Sequence, residues 1–270
     1  MWKILARSLS SQTPKSLIER ELYQGNSVVR LILNDGKVNA LSLAMVNELH
    51  DELCAINKID KVRSVIIAHH GPAFSAGHQI KELTTASGSG THNKIFERCG
   101  DMMMLIQKMK VPVIAEVNGT AAAAGCQLVA ACDLVVAGNS SKFLVPGQKI
   151  AVPRKVALDM LLTGEPIDAQ AALRAGLVSR LVEDCQVKFE ALKVAERIGA
   201  HSRSVTALGK AFFYAQVELN TADAYRYGAK VMAGNLKMQD CQEGIDAFLT
   251  KRHPEFTGSE ALVKDSNSKE

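Results

Sequence analysis

Two stretches of this chain combine residue types that can hold a negative charge with the backbone alone. In Ala73-Phe-Ser-Ala-Gly77-His78-Gln-Ile-Lys-Glu82, a buried strand runs through a small-residue turn toward a helix start. In Asn118-Gly119-Thr-Ala-Ala-Ala-Ala124-Gly125-Cys126-Gln127, a second strand runs through small residues into a helix. Helix starts leave N–H groups without intrahelical acceptors and carry the positive end of the helix dipole. Small side chains let a ligand come close to the main chain. Two such starts facing each other would form an oxyanion hole. Taken alone, either stretch reads better as a device for close strand–helix packing.

The side chains nearby offer further chemistry. His78 supplies an imidazole, the side chain that ordinarily titrates closest to neutral pH; the alternative is that only its backbone matters. Ser75 beside His78 has the composition of a nucleophile–base pair but not the spacing of a triad. Glu82 and Glu116 read as a helix-face charge and a structural carboxylate rather than general bases. Met102-Met-Met-Leu105 reads as core filling.

The elements that must carry these residues are legible by periodicity. Ser27–Leu33 alternates and ends in the turn Asn34-Asp-Gly36, as a strand does. Ser42 caps a helix with apolar positions Val46, Leu49, Leu53 and Ile56. A buried strand, Ser64–Ala68, leads into a loop from His69 to Gly77. A helix through Met102, Leu105 and Ile106, a strand Val113–Val117, a small-residue helix Ala121–Ala131 and a strand Leu134–Ala137 follow. Strands alternating with helices predict α/β layers and a mostly parallel sheet. The second half reads as helices over Pro153–Leu162, Ala169–Ala175, Phe189–Ile198, Val205–Leu219 and Gln242–Leu249. The polar end after Phe256 is expected to fray.

Composition narrows the function classes. The 270 residues are 47% hydrophobic and 22% charged, with a net charge of +4, the balance of a globular protein. Setting aside Lys3, Arg7 and Lys15 of the opening MWKILARSLSSQTPKS leaves about +1, which gives no electrostatic case for nucleic acid or an anionic membrane. That opening is basic, acid-free and serine-rich, the character of a mitochondrial transit peptide spanning residues 1–18. Lys58, Lys61 and Arg63, interrupted by Asp60, are too few for a nucleic-acid footprint. Six scattered cysteines without a CxxC pair predict reduced thiols and no metal site. The apolar stretch Val111–Gly138 contains Glu116, Asn118, Gln127 and Asp133, so it reads as buried core and not as a membrane span.

Asn39-Ala-Leu-Ser42, Phe74-Ser-Ala-Gly77-x-x-Ile80-Lys81-Glu82, Val117-Asn-Gly119 with Ala124-Gly-Cys126, and Cys132-Asp133 together resemble the crotonase (enoyl-CoA hydratase/isomerase) superfamily. So do Thr163-Gly164-x-x-Ile167-x-Ala169-x-x-Ala172 running on to Gly176-Leu177-Val178, and Glu243-Gly244-x-x-Ala247-Phe248-x-x-Lys251-Arg252. The match runs from about residue 27 to Phe256 in family order. The resemblance implies an α/β fold, a spiral of ββα units over residues 19–200. A helical trimerisation region at 201–258 and a flexible tail at 259–270 complete it.

It further implies a bound acyl-CoA and no separate cofactor. The thioester oxygen would sit between the backbone N–H groups of His78 and Ala124, and Ala40, His78, Gln79, Ile80 and Lys81 would flank the CoA. Asp133 occupies a position that braces the core. A homotrimer or dimer of trimers in the mitochondrial matrix is the expected assembly and place.

Departures from the family pattern decide the expected activity. Hydratases place one catalytic glutamate where this chain has Gln127 and the other where it has Gly147. A neutral amide cannot move a proton near neutral pH, and glycine offers nothing. The stretch from Pro146 to Thr163 is about half the family's usual length, which thins a wall of the acyl pocket. The expectation is an acyl-CoA-binding homologue of fatty-acid metabolism with an oxyanion hole and without the hydratase glutamates. It is either a non-catalytic binder or an enzyme needing only enolate stabilisation, such as a decarboxylase. The alternatives are a weak hydratase or isomerase and, in a different class, an RNA-binding relative.

Overall fold

The computed structural model describes residues 16–144 and 152–263. Residues 1–15 of the expected transit peptide, Gly147 and residues 264–270 of the expected tail lie outside them.

The chain enters a hairpin of β1 (Ile18–Tyr23) and β2 (Val28–Leu33), paired antiparallel. The turn between them holds Gln24, Gly25 and Asn26 at φ 52°, 65° and 69°, a left-handed run suited to Gly and Asn. β1 was not expected from the sequence. Its Ile-Glu-Arg-Glu-Leu-Tyr is half charged, which fits its place at the sheet's edge. Ile18 is already buried and the amides of Leu17 and Ile18 donate to the Glu48 carboxylate. Leu17 and Ile18, the last residues of the expected 1–18 targeting segment, are therefore tied to the fold.

Ser42 caps α1 (Leu43–Asn57) by accepting from the Met45 amide at 3.2 Å. The helix buries Met45, Val46, Leu49, Leu53 and Ile56, a stripe of three- and four-residue spacing. β3 (Ser64–His69) follows, then β4 (Ala73–Ser75), a short strand inside what the sequence suggested was a loop. α2 (Ser89–Lys108) packs Cys99, Met102 and Ile106 into the same core and also buries Ile95. β5 (Val113–Val117) leads to β6 (Thr120–Ala122) and α3 (Ala124–Ala131). Ala121 and Ala122 are thus strand, not the helix that their composition suggested: Ala121 pairs with Ser75 on one side and Phe143 on the other.

β7 (Leu134–Gly138) and β8 (Lys142–Leu144) precede α4 (Arg154–Thr163), β9 (Ile167–Asp168), α5 (Ala169–Arg174) and β10 (Arg180–Val182). Two mixed sheets result, one ordered β1-β2-β3-β5-β7-β10 and the other β4-β6-β8-β9. Their parallel pairings, β2 with β3, β3 with β5 and β5 with β7 in one sheet and β4 with β6 and β6 with β8 in the other, are those that short strand repeats stacked along the chain produce. α6 (Val187–Gly199) covers the far face of the large sheet with Val187, Ala191, Val194 and Ala195. Each large apolar side chain so buried contributes about 1.5–3 kcal/mol.

α7 (Arg203–Gln216), α8 (Thr221–Asn235) and α9 (Gln239–Thr250) close the chain. α7 is held to the core through Lys210, whose ammonium donates to the Ile106 and Val111 carbonyls and to Asp133 at 2.7, 3.1 and 2.6 Å. Tyr214 adds a 2.9 Å bond to the other Asp133 oxygen. The segment expected to be flexible from 259 is tied down as far as Val263. Asp240 accepts from the Thr257 and Gly258 amides, Met238 bridges Leu262, and the Val263 amide reaches the Lys237 carbonyl. No helix of the described residues is long and apolar enough to cross a membrane. Of the small basic cluster, Lys58 and Lys61 are exposed whereas Arg63 is partly buried, its Nη1 lying 2.7 Å from where a side chain on Gly258 would begin.

Candidate functional site

Parallel pairing of β4 and β6 brings the two small-residue turns to the same end of the small sheet. The first turn is built from side-chain polar groups. Asp35 accepts from the amides of Lys37, Asn39 and Ala40 at 2.7, 2.8 and 2.8 Å. Burial alone would raise its pKa, and these three donors outweigh it and hold the carboxyl below its ordinary value. Asn39, buried and at φ 54°, donates to the His70 and Ala73 carbonyls at 2.7 and 2.8 Å. Ser75 then donates to the Asn39 carbonyl at 2.7 Å and accepts from the Gly77 amide at 3.1 Å. Both capacities of its hydroxyl are spent on backbone, which removes it as a nucleophile.

The strap 38–41 lies directly on this turn: Ala76 donates to the Val38 carbonyl and Leu41 to the Gly77 carbonyl. Ala40 is therefore a neighbour of His78, which bridges Leu41. Gln79 precedes a 3₁₀ turn, Ile80–Leu83, in which Ile80 and Lys81 are exposed.

The second turn is built by packing. Ala123 sits at φ 47°, ψ −122° before α3, a conformation L-residues rarely adopt and one that costs about 1–3 kcal/mol. Its amide is held by the Leu144 carbonyl at 3.1 Å. Gly125 presses α3 onto β4: a Cβ there would lie 2.6 Å from both Cβ and O of Ser75. At the entrance of the turn, His69 Nε2 accepts from the Asn118 amide at 3.1 Å. Burial pushes the His69 pKa down and keeps the ring neutral, as an acceptor must be.

The two turns touch. A Cβ on Gly77, which stands at φ 88°, would lie 2.9 Å from the Ala123 Cβ, 3.0 Å from the Ala122 oxygen and 3.3 Å from the Ala124 nitrogen. Glycine is required there by conformation and by space. The N–H groups of His78 and Ala124 have no acceptor among the described residues. Gln127, partly buried one turn into α3, has no side-chain partner among them either.

The remaining candidates are structural. Glu116 is buried and takes two bonds from Arg30 at 2.6 and 2.8 Å, on the face of the large sheet covered by α6. Glu82 accepts from the Leu43 amide at 2.9 Å at the start of α1. Asp133 is engaged by Lys210, Tyr214 and the Val113 amide. Sequence reasoning missed Asp35 and Phe96. The first lay inside a turn read only for its shape, and the second stands on a helix with nothing in its spacing to tie it to His78. Among the described residues no group of three or more His, Cys, Asp or Glu side chains could hold a metal ion.

Two spiral-stacked sheets with paired turns at one sheet end define the crotonase fold, and the chain belongs to the enoyl-CoA hydratase/isomerase family, whose model matches residues 23–259. Among curated relatives, the mitochondrial enoyl-CoA hydratase domain-containing protein 3 of Rattus norvegicus is 45% identical over 245 residues, which cover 86% of this chain and 82% of that protein. The crystal structure of human enoyl coenzyme A hydratase domain-containing protein 3 matches with a TM-score of 0.85 at 42% identity, covering 89% of this chain and all of the other. An enoyl-CoA hydratase structure from Mycobacterium smegmatis matches with a TM-score of 0.85 at 38% identity, covering 90% of this chain and 99% of that one.

Proposed function

We propose that the junction of the two turns binds the thioester carbonyl of an acyl-CoA, held by the amides of His78 and Ala124, and that the protein is an acyl-CoA-binding homologue without the hydratase glutamates. The observation that carries the reading is the missing side chain of Gly77, whose place lies 3.3 Å from the Ala124 nitrogen. Any Cβ there would crowd the space between two backbone donors that have no acceptor among the described residues. One such donor is worth about 2.7–4 kcal/mol to a developing oxyanion, and the start of α3 adds its dipole.

Ala40 and the segment His78–Lys81 flank the CoA in this reading. Gln127 stands where a hydratase needs a carboxylate, and Gly147 replaces the second. General acid–base groups contribute about 10²–10⁴-fold each, so hydration is expected to be negligible while thioester binding persists. The mitochondrial relatives support a role in mitochondria, and we place the protein in the matrix, in fatty-acid metabolism. The strongly exposed Tyr225 and Phe248 on α8 and α9 support association as a trimer or dimer of trimers, which light scattering would measure.

Calorimetric titration with hexanoyl-CoA, beside a crotonyl-CoA hydration assay against a glutamate-bearing relative, tests the proposal. Binding without hydration is expected. Robust hydration that survives Gln127→Ala would overturn it.

A further inference from the structure

We propose that His78 is the proton-transfer residue of this site, its Nε2 taking a proton from the α-carbon of the bound acyl thioester. The inference rests on the thioester reading above and adds an activity to it, the exchange of α-protons in acyl-CoA without hydration.

The geometry of the ring carries the argument. Nδ1 of His78 lies 3.3 Å from the Leu41 carbonyl oxygen. A carbonyl can only accept, so Nδ1 bears the hydrogen and the neutral ring keeps its lone pair on Nε2. The ring meets Phe96 of α2 edge to face, with centroids 5.1 Å apart and planes at 89°, which fixes its second degree of freedom. A backbone carbonyl behind one nitrogen and an aromatic wall beside the ring form the usual support of a histidine base. The ring also grows from the residue whose own amide is one of the two oxyanion donors, so base and oxyanion donor share one backbone position.

Elimination points the same way. Around the turns, Ser75, Glu82 and Asp133 are spent on backbone or cationic partners. Glu116 is locked to Arg30, and His69 Nε2 accepts from Asn118. Among the described residues of the two turns, His78 keeps a proton-accepting nitrogen without a partner.

The step balances without any co-reactant. The α-carbon C–H bond breaks, and its proton passes to Nε2 to give an imidazolium. The electron pair moves onto the thioester oxygen as an enolate, held by the His78 and Ala124 amides. Reversal returns a proton from the imidazolium, and in deuterium oxide it returns a deuteron.

Hexanoyl-CoA has no double bond to hydrate, so deuterium wash-in at its α-carbon, read by mass spectrometry with the full chain, isolates this chemistry. The wild-type protein should accelerate wash-in. His78→Asn places an amide nitrogen near the position of Nδ1, retains the backbone donor and removes the base. It should lower the rate by about 10²-fold or more at saturating hexanoyl-CoA, the affinity of each variant being measured by calorimetry to set that concentration. Phe96→Ala, which frees the ring without touching the turn, should lower the rate by a smaller factor at unchanged affinity. Wild-type exchange at the background rate despite binding would overturn the role of His78 and leave the thioester reading standing, as would undiminished exchange in His78→Asn. Failure of the wild-type protein to bind hexanoyl-CoA would overturn both.

Discussion

The two turns that meet at the site each hold a residue at positive φ, Gly77 and Ala123, and do so by different means. The first, from Ala73 to His78, is held by a chain of side-chain bonds running from Asp35 through Asn39 and Ser75 to the Gly77 amide, and it takes its positive φ on a glycine. The second, from Gly119 to Gln127, has an alanine at φ 47° and is held by strand pairing, a buried helix and the contact of Gly125 with Ser75. A polar scaffold can be loosened one hydrogen bond at a time. A packed one fails through volume, and its strain is part of its structure. The contrast also separates roles, since the first turn carries the side chains with chemistry and the second offers little but backbone.

The sharpest way to break the packed turn is Gly125→Ala. Its Cβ would sit 2.6 Å from Ser75, and neither strand nor helix can yield cheaply. A loss of about 3 kcal/mol in urea unfolding is expected, despite alanine's better helix propensity. Gly77→Ala strains the other turn at φ 88° and crowds Ala123. It should cost about 1–3 kcal/mol and abolish measurable acyl-CoA binding by calorimetry. Binding retained in that variant would show that the thioester does not use this junction.

Ser75→Ala tests the polar scaffold alone. It leaves the Gly77 N–H and the Asn39 carbonyl without their partner, for about 1–3 kcal/mol, and should weaken binding less than Gly77→Ala does. Ala123→Gly runs the other way. Relief of the positive φ exceeds the added freedom of the unfolded chain, for a net gain of about 1 kcal/mol seen as a higher melting temperature. A loss would mean that the strain at Ala123 is offset locally. The smallest effect concerns the helix behind the second turn. Burial pushes the Cys126 thiol up to about 12, whereas Cys185 is exposed. Iodoacetamide at mildly alkaline pH should label Cys185 and spare Cys126 in the folded protein.

The same contrast decides what the sequence disclosed. The capped start of α1, the buried strands and α6 follow from periodicity, because each buries apolar positions at regular spacing. α4, α5, α7 and α9 are legible too, although each buries only one or two residues. β6 was misread as helix because four alanines carry high helix propensity, and only its neighbours Ser75 and Phe143 make Ala121 a strand residue. β1 was hidden by its edge charges. α8 buries no residue and so has no inward stripe to find. The docked end was hidden because Asp240 reaches Thr257 and Gly258 across a long sequence separation.

At the site, Gly77, Ala124 and His78 could be named from motif likeness, since backbone donors have no side-chain signature of their own. Asn39 was visible only as part of that likeness, and its buried bonds came from the structure. Gln127 is placed near the junction, and Gly147 falls outside the described residues.

The central claim is that two amides, from His78 and Ala124, grip one thioester oxygen. Isotope-edited infrared spectroscopy of hexanoyl-CoA carrying carbon-13 at its thioester carbonyl reads this bond directly. The account predicts a carbonyl stretch that moves to lower frequency on binding to the wild-type protein, because two charge-directed donors polarise the bond. Hexanoyl-CoA that binds with its carbonyl stretch unchanged from that in water would contradict it.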